Sequence, residues 1–595
     1  MKVLLILIIL SLAMFADSTK SWKSLPTSTI AAIEMDFSED LLLKLRNETS
    51  LGKTILSEKN IASFVEIVKK HSLINPKLAA TLAELRSSGF TIDELANILN
   101  SKLGMALVPE NNNDKAYWSV LAWSEMRDGL AAKIVNSLSE RKQGKEIDLN
   151  GHKGLAFQND WETSYTILSA HKNSLIMVSS DVDTEHKNNL GAKKNKNSKL
   201  KLGFHPSKLN DFSSQHICFE RFSSFLNSHS GSGDSKFLAK LNDNEFHHKM
   251  THSGQRVIEY HVDFGIFKKF LDSNMKRFEM TGFSKLKHAS GIVSYGSKFI
   301  KSKFFIETDS PRTSLLKLLD QPKISLETED WVTDDVNSYS HISMDVNFIY
   351  QQIKEMLSSQ FGKAAVSQKL KEADMHCRAF IGHSIKSILD GFGDKITFLD
   401  YGLSLKPHEV QYVLTPNIAM IIPFKNKSVS NRVIEILTPF AAAKGIYRND
   451  QEGFKGFLSE EIDASLHIGE EKIIFTSGEN VCQKVLGSIS SPSKNKLSDN
   501  PQFKKFIELL DVKETTMLSY GNLKSSIGEF YELIEMAIEH KKILSGMEKR
   551  DKAFIQELLQ NLPTVEDITD VLGVGGAYGV PEKDGFFIKG LVELP

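Results

Sequence analysis

The sequence predicts an α+β protein made of two tandem related units, each mainly antiparallel sheet with packed helices. Three observations predict it. The same order of strand-like and helix-like segments occurs twice within the 595 residues. Hairpin-style connections outnumber long crossovers, which disfavours a doubly wound parallel sheet. Hydrophobic content of 41% and charged content of 25% match a folded globular chain.

The two series run in parallel. Leu25-Pro26-Thr27-Ser28 leads into a strand over Ile30 to Asp36, then a helix carrying Leu41, Leu42 and Leu45. Val332 to Asp335 leads into His341 to Asp345, then a helix carrying Ile349, Ile353, Met356 and Leu357. Ile98-Leu99-Asn100 passes through Gly104 into Met105 to Val108, as Ile388-Leu389-Asp390 passes through Gly393 into Lys395 to Phe398. Trp118 to Leu121 with a helix over Leu130 to Leu138 answers Ile418 to Ile422 with Val433 to Leu437. Gly151-His152-Lys153-Gly154 answers Gly453-Phe454-Lys455-Gly456, and Leu175 to Ser179 answers Ile473 to Ser477.

Val257 to Asp263, before a helix with Phe267, Phe270 and Leu271, answers Thr516 to Tyr520, before one with Ile527, Phe530 and Leu533. Each series closes on a hairpin. Gly291 to Tyr295 pairs with Phe304-Phe305-Ile306. Gly576 to Val580 pairs with Phe586-Phe587-Ile588, turning at Asp584-Gly585. Matches in one shared order define units at 22–320 and 325–595, with the seam near Asp320 to Glu329. Alternating polar positions in Arg256 to Val262 predict a sheet with one wetter face.

Two stretches fall outside the pattern. Residues 186–203 hold six lysines and no acid, and read as a solvated Lys-rich loop. A basic contact to an anionic polymer or membrane surface is the sharper alternative. Ser228 to Asp234 is loop-like by its Ser/Gly content.

The N-terminus reads as a signal peptide over residues 1–18. Met1-Lys2 is followed by an apolar run from Val3 to Phe15, then Ala16-Asp17-Ser18. That run falls short of the ~20 residues a spanning helix needs, and no later stretch spans a bilayer. No integral membrane segment is therefore expected after cleavage, and the chain is expected in the periplasm or at the cell surface. Lys+Arg 73 against Asp+Glu 74 leaves net charge -1, so no global field attracts nucleic acid. Cys218, Cys377 and Cys482 are too few for a disulfide scaffold and read as small buried hydrophobes.

Chemistry is sparse. Gly52-Lys53-Thr54 lacks the strand and first glycine of a phosphate loop. Gly573-Val574-Gly575-Gly576 opens a hairpin without the helix a dinucleotide needs, and backbone turning is the expected role of its glycines. His247, His248 and His252 are weak metal candidates: His248 and His252 share a helical face, but Lys249 stands where a metalloprotease needs its Glu. Asp36, Asp263 and Asp345 each stand where a strand hands over to a helix, and read as caps or as carboxylates converging on a ligand. No cofactor is expected, and no catalytic residue is singled out.

The signal, the Leu-Pro-x-x-Thr opening, the helix–Gly–strand at Gly393-Asp394-Lys395, the Gly-x-Lys-Gly hairpin and Leu562-Pro563-Thr564 before Gly573 form one ordered pattern. It resembles the exported bacterial proteins of domain of unknown function 3352 and their planctomycete-type relatives, along nearly the whole mature chain. The resemblance implies an exported envelope protein with no catalytic residues to carry over. The expected function is non-enzymatic binding or assembly, with an envelope protein or polymer as partner class. An exported hydrolase of peptide, glycan or lipid, and a carrier of an apolar ligand, are the alternatives.

Overall fold

The computed structural model describes residues 29–36, 46–55, 102–112, 115–140, 144–149, 152–158, 164–181, 255–268, 282–296, 298–407, 412–443, 446–459, 463–478, 480–492, 494–529, 565–569 and 573–594, with positions 25, 94 and 531. The signal segment, the Lys-rich loop, the Ser/Gly stretch, Cys218 and the 247–252 histidines lie outside the described residues.

The first half of the chain supplies β1 (Ala31–Asp36), α1 (Ser50–Ile55), β2 (Lys102–Asn112), β3 (Lys115–Glu125), α2 (Leu130–Glu140), β4 (Lys145–Leu149) and β5 (His152–Gln158). It continues with β6 (Ser164–His171), β7 (Ser174–Asp181), β8 (Gln255–Asp263), α3 (Phe264–Lys268), β9 (Leu286–Gly296) and β10 (Phe299–Thr308). The second half supplies β11 (Ile324–Ser325), β12 (Ser338–Ser343), α4 (Val346–Phe361), α5 (Lys363–Ile381), α6 (Ile385–Leu389), β13 (Lys395–Pro407), β14 (Tyr412–Pro423), α7 (Lys427–Ala443) and β15 (Tyr447–Arg448). Then follow β16 (Lys455–Ser459), β17 (Ala464–Ile468), β18 (Lys472–Ser477), α8 (Val481–Ser490), α9 (Pro501–Leu509), β19 (Glu514–Thr515), β20 (Met517–Asn522), α10 (Val565–Thr569), β21 (Val574–Glu582) and β22 (Gly585–Glu593).

All these strands but β11 and β19 join one 20-stranded antiparallel sheet, so the fold is α+β. The ladders give the spatial order β4-β5-β6-β7-β3-β2-β1-β8-β9-β10 for the first half. The second half runs β15-β16-β17-β18-β14-β13-β12-β20-β21-β22. β10 pairs with β22 and closes the two series into one sheet. The final turn is Lys583-Asp584, because Glu582 already pairs with Gly585; Gly585 opens β22 instead of turning.

Cross-strand partners share a face, so each face can be followed through the ladders. One face, here the outer, carries Met177, Ala122, Met105, Ile33, Tyr260, Gly291 and Phe304, each opposite the next. It crosses the seam to Ile588, Gly579, Met517 and Ile342. This row is apolar from end to end. A Cβ at Gly291 would strike the Tyr260 ring, so the glycine lets that ring lie flat over the sheet toward Phe304.

Among the described residues, helices cover the faces unequally. On the outer face α2 sets Leu130, Ala131, Ile134 and Val135 against the β5–β7 region, and α7 sets Ile434 against Phe457, Ile468 and Ile473. On the inner face of the second half, Val481, Val485 and Leu486 of α8 and Phe503 and Phe506 of α9 pack on Tyr339, Leu399, Ile421, Ile474 and Tyr520. Each such large apolar side chain contributes about 1.5–3 kcal/mol by leaving water. The seam segment belongs to this second core: Leu326, Trp331 and Val332 are buried in it, and β11 pairs with β19.

The α4–α5 hairpin breaks at Gly362 (φ 87°) and stands largely in solvent, burying Gln352 and Val366 while Phe361, Met375 and Phe380 are more than 60% exposed. Among the described residues no helix is long and apolar enough to cross a membrane.

Candidate functional site

The three carboxylates do not converge. Asp345 caps α4, its Oδ1 accepting from the Phe348 N–H at 2.9 Å. Asp263 caps α3 in the same way, accepting from Ile266 N–H at 2.9 Å. Asp36 is the last residue of β1, opposite Lys102, whereas Asp263 adjoins Ile30 at the other end of that strand. The two are therefore about 20 Å apart, and Asp345 lies several strands further along the sheet. Two of the three are caps, and no shared ligand position exists among them.

The polar face of β8 runs opposite to expectation. Glu259, His261 and Asp263 point inward and are buried, while Ile258, Tyr260 and Val262 face the half-covered side. Alternation identifies two faces but not which one is roofed. The inner face of the first half thereby holds an ionisable row. Glu34 stands opposite Glu259, both under 5% exposed, and Arg256 pairs with Glu259 at 2.9 Å. His261 Nδ1 lies 2.7 Å from Ser290 Oγ, and its ring stacks on His288.

The row continues from Glu259 through Ile292 to Lys303 and, across the seam, Lys589 and Tyr578. Burial, then the neighbouring Lys589, lowers the Lys303 pKa. Asp511 accepts from Lys589 at 3.0 Å and from the Tyr578 hydroxyl, offsetting the two lysines' repulsion.

In the second half β12 carries Tyr339 and His341. The Tyr339 hydroxyl donates to Glu329 Oε2 at 3.2 Å and lies 3.0 Å from His341 Nδ1. Glu329 also accepts from Thr397 Oγ1 at 2.8 Å and pairs with Lys395 at 3.2 Å. Burial, and then Lys395, holds the His341 pKa down to about 3, so the imidazole is neutral; burial raises that of Tyr339. His341 Nε2 is buried and finds no hydrogen-bond partner. Cys482, near the start of α8, rests 3.4 Å from His467 Nδ1. Burial raises the thiol and lowers the imidazole, so the pair is neutral and lacks the thiolate of a nucleophile.

The glycine motifs resolve structurally. Gly52-Lys53-Thr54 lies inside α1, with Gly52 N–H donating to Thr49 Oγ1, so no phosphate loop exists there. Gly575 and Gly576 lie within β21, and a Cβ at Gly576 would strike the Ser519 carbonyl and the Phe506 ring. Close packing, not turning, requires that glycine. No group of three or more His, Cys, Asp or Glu among the described residues could hold a metal ion.

Among the described residues the sheet also exposes an apolar surface. On the outer face of the second half, Ile342, Phe398, Ile418 and Phe475 are 36–44% exposed on β12, β13, β14 and β18. Phe398 and Phe475 both stand opposite Met420, forming one continuous row. A cleft of about 390 Å³ at the seam is lined by Arg312, Lys317, Asp320, Pro581, Glu582 and Lys583. Its buried Arg312 is fully engaged with Asp320 and the Glu582 and Gly585 carbonyls, so it clamps the closing hairpin to the seam.

Comparisons with protein families, curated proteins and solved structures find no match for this chain.

Proposed function

We propose that the chain is an exported, non-enzymatic envelope protein, periplasmic or at the cell surface, built from two related units and acting by binding or assembly. The carrying observation is the partly exposed apolar patch of Ile342, Phe398, Ile418 and Phe475 on the outer sheet face. Contiguous exposed apolar surface marks an interaction site, since it costs solubility without stabilising the monomer. Two further features support the reading. The n-region, apolar run and small-residue order of residues 1–18 is that of a secretory signal. The common strand order on either side of the β10–β22 pair fits descent of both halves from one unit.

Cell fractionation combined with the double variant Phe398→Asp/Phe475→Asp tests this. The wild type is expected in the envelope fraction and in a complex larger than its monomer. The variant is expected to keep its melting temperature within a few degrees and to lose the complex. A cytosolic protein, or a complex indifferent to both aspartates, would sink the reading. Lipid extracted with the wild type and absent from the variant would favour the apolar-carrier alternative instead.

A further inference from the structure

The seam between the halves is formed by two strands that occupy the same place in their respective series, β10 and β22. Their ladder sets Phe305 opposite Phe587, with Phe304 opposite Ile588 and Ile306 opposite Phe586. The tripeptide Phe304-Phe305-Ile306 therefore meets Phe586-Phe587-Ile588 as its own antiparallel image. The Phe305 and Phe587 rings lie 4.3 Å apart and both are buried, with Ile292 beside them. Such a pairing is isologous: what one strand offers, the other offers in return.

Charge adds an asymmetry. In the chain as folded, Lys303 is opposite Lys589, a like-charge pair, and Glu307 is opposite Gly585. Turned about Phe305 against a second copy of itself, β10 would set Lys303 opposite Glu307 twice, and Lys301 opposite Asp309 twice. The strand thus offers its own copy two opposite-charge pairs, whereas against β22 Lys303 meets Lys589, whose charge Asp511 offsets, and Glu307 and Asp309 are met by Lys287 of β9.

We propose that β10 is a self-complementary edge, so that when β22 is displaced two copies of this chain pair β10 to β10 about Phe305. This rests on the tandem-unit reading above and supplies the assembly mode that reading leaves open. Tethering keeps β22 at high effective concentration, so the closed single chain is the resting form and the paired form follows release of the closing hairpin.

Light scattering on the full-length chain tests it, with β22 displaced in two independent ways. Gly585→Val drives a side chain into the Ile306 carbonyl and the Phe305 ring. Phe587→Asp buries a carboxylate in the seam. Both variants are expected to become dimers, with strand content by circular dichroism retained. Adding Lys303→Glu is expected to weaken the dimer roughly tenfold, because two attractive pairs become repulsive. Adding Glu307→Lys as well restores it. In the otherwise wild-type chain, Lys303→Glu faces Lys589 and is expected to raise the melting temperature. Monomers in both displaced variants, or a dimer indifferent to the charge swap, would overturn the proposal. So would loss of folded strand content in both, since β10 must persist without β22. Envelope binding through Phe398 and Phe475 is scored separately, so either idea can fail alone.

Discussion

His341 is the residue whose chemistry most constrains the second half. It is fully buried, hydrogen-bonded on one nitrogen only, and held neutral down to about pH 3. The unfolded chain binds that proton near the ordinary imidazole value of about 6.5. Below this value the unfolded state carries more protons than the native one, so stability falls as pH falls. Between about pH 6.5 and 3 the loss attributable to this group approaches roughly 1.4 kcal/mol per pH unit. Urea titrations at pH 7 and 5 on wild type and His341→Leu are expected to show a smaller pH loss in the variant. An identical loss in both proteins would exclude this residue as a source. Arg312 is the second such residue. Removing it in Arg312→Ala strands the Glu582 and Gly585 carbonyls and the Asp320 carboxylate, an expected cost of about 2–4 kcal/mol in urea unfolding.

Among elements, α4 gives the cleanest account of one residue starting a helix. β12 ends at Ser343, and two residues later Asp345, still in the extended region, turns its carboxylate onto the Phe348 N–H as the helix opens at Val346. Asp345→Ala is expected to cost about 1 kcal/mol, whereas Asp345→Asn keeps an acceptor and costs a few tenths. Equal losses from both would mean that charge, not the hydrogen bond, matters at this end.

This cap was legible in the sequence, as were β1, β3 with α2, β7, β8, β18 and the closing hairpins, because period-two apolar runs and strand-ending carboxylates are local signals. α5, α8 and α9 were not. The exposed Phe361, Met375 and Phe380 blur the apolar period of the hairpin, and α8 starts behind an αL Asn480 without a side-chain cap. The inward turn of Glu34, Glu259 and His261 was equally hidden, since which face of β1 and β8 is roofed depends on segments distant in the chain. The candidate caps Asp263 and Asp345 were found, while the Glu329–Tyr339–His341 relay spans a loop and a strand and left no spacing signature.

At the scale of the whole molecule, one sheet joins the two halves, with an apolar bridge across the β10–β22 ladder. The second half has a cluster built on Tyr339, Leu399, Ile421, Val485, Phe503 and Tyr520, and the first half buries Val108, Leu121, Trp123, Ile167, Ile176 and Val178 on its inner sheet face besides the clusters under α2. Among the described residues, Ile292, Phe305 and Phe587 make a buried apolar group across the β10–β22 seam. That trio, the Arg312 clamp and the shared ladder connect the halves among the described residues, while each half keeps its own ladders and helices. Truncating Phe305 to Ala removes a large buried ring from the centre of the bridge, an expected cost of about 3–5 kcal/mol if the site does not collapse. Because the loss falls on the coupling and not on either outlying core, urea unfolding of Phe305→Ala is expected to split into two transitions. Leu399→Ala, of similar severity but buried wholly within the second core, is expected to shift only the transition of that half. A single transition in Phe305→Ala, with its slope unchanged from wild type, would mean that the halves are coupled through the continuous backbone ladder and not through the ring pair. A split in Leu399→Ala and none in Phe305→Ala would place the boundary elsewhere than at β10 and β22.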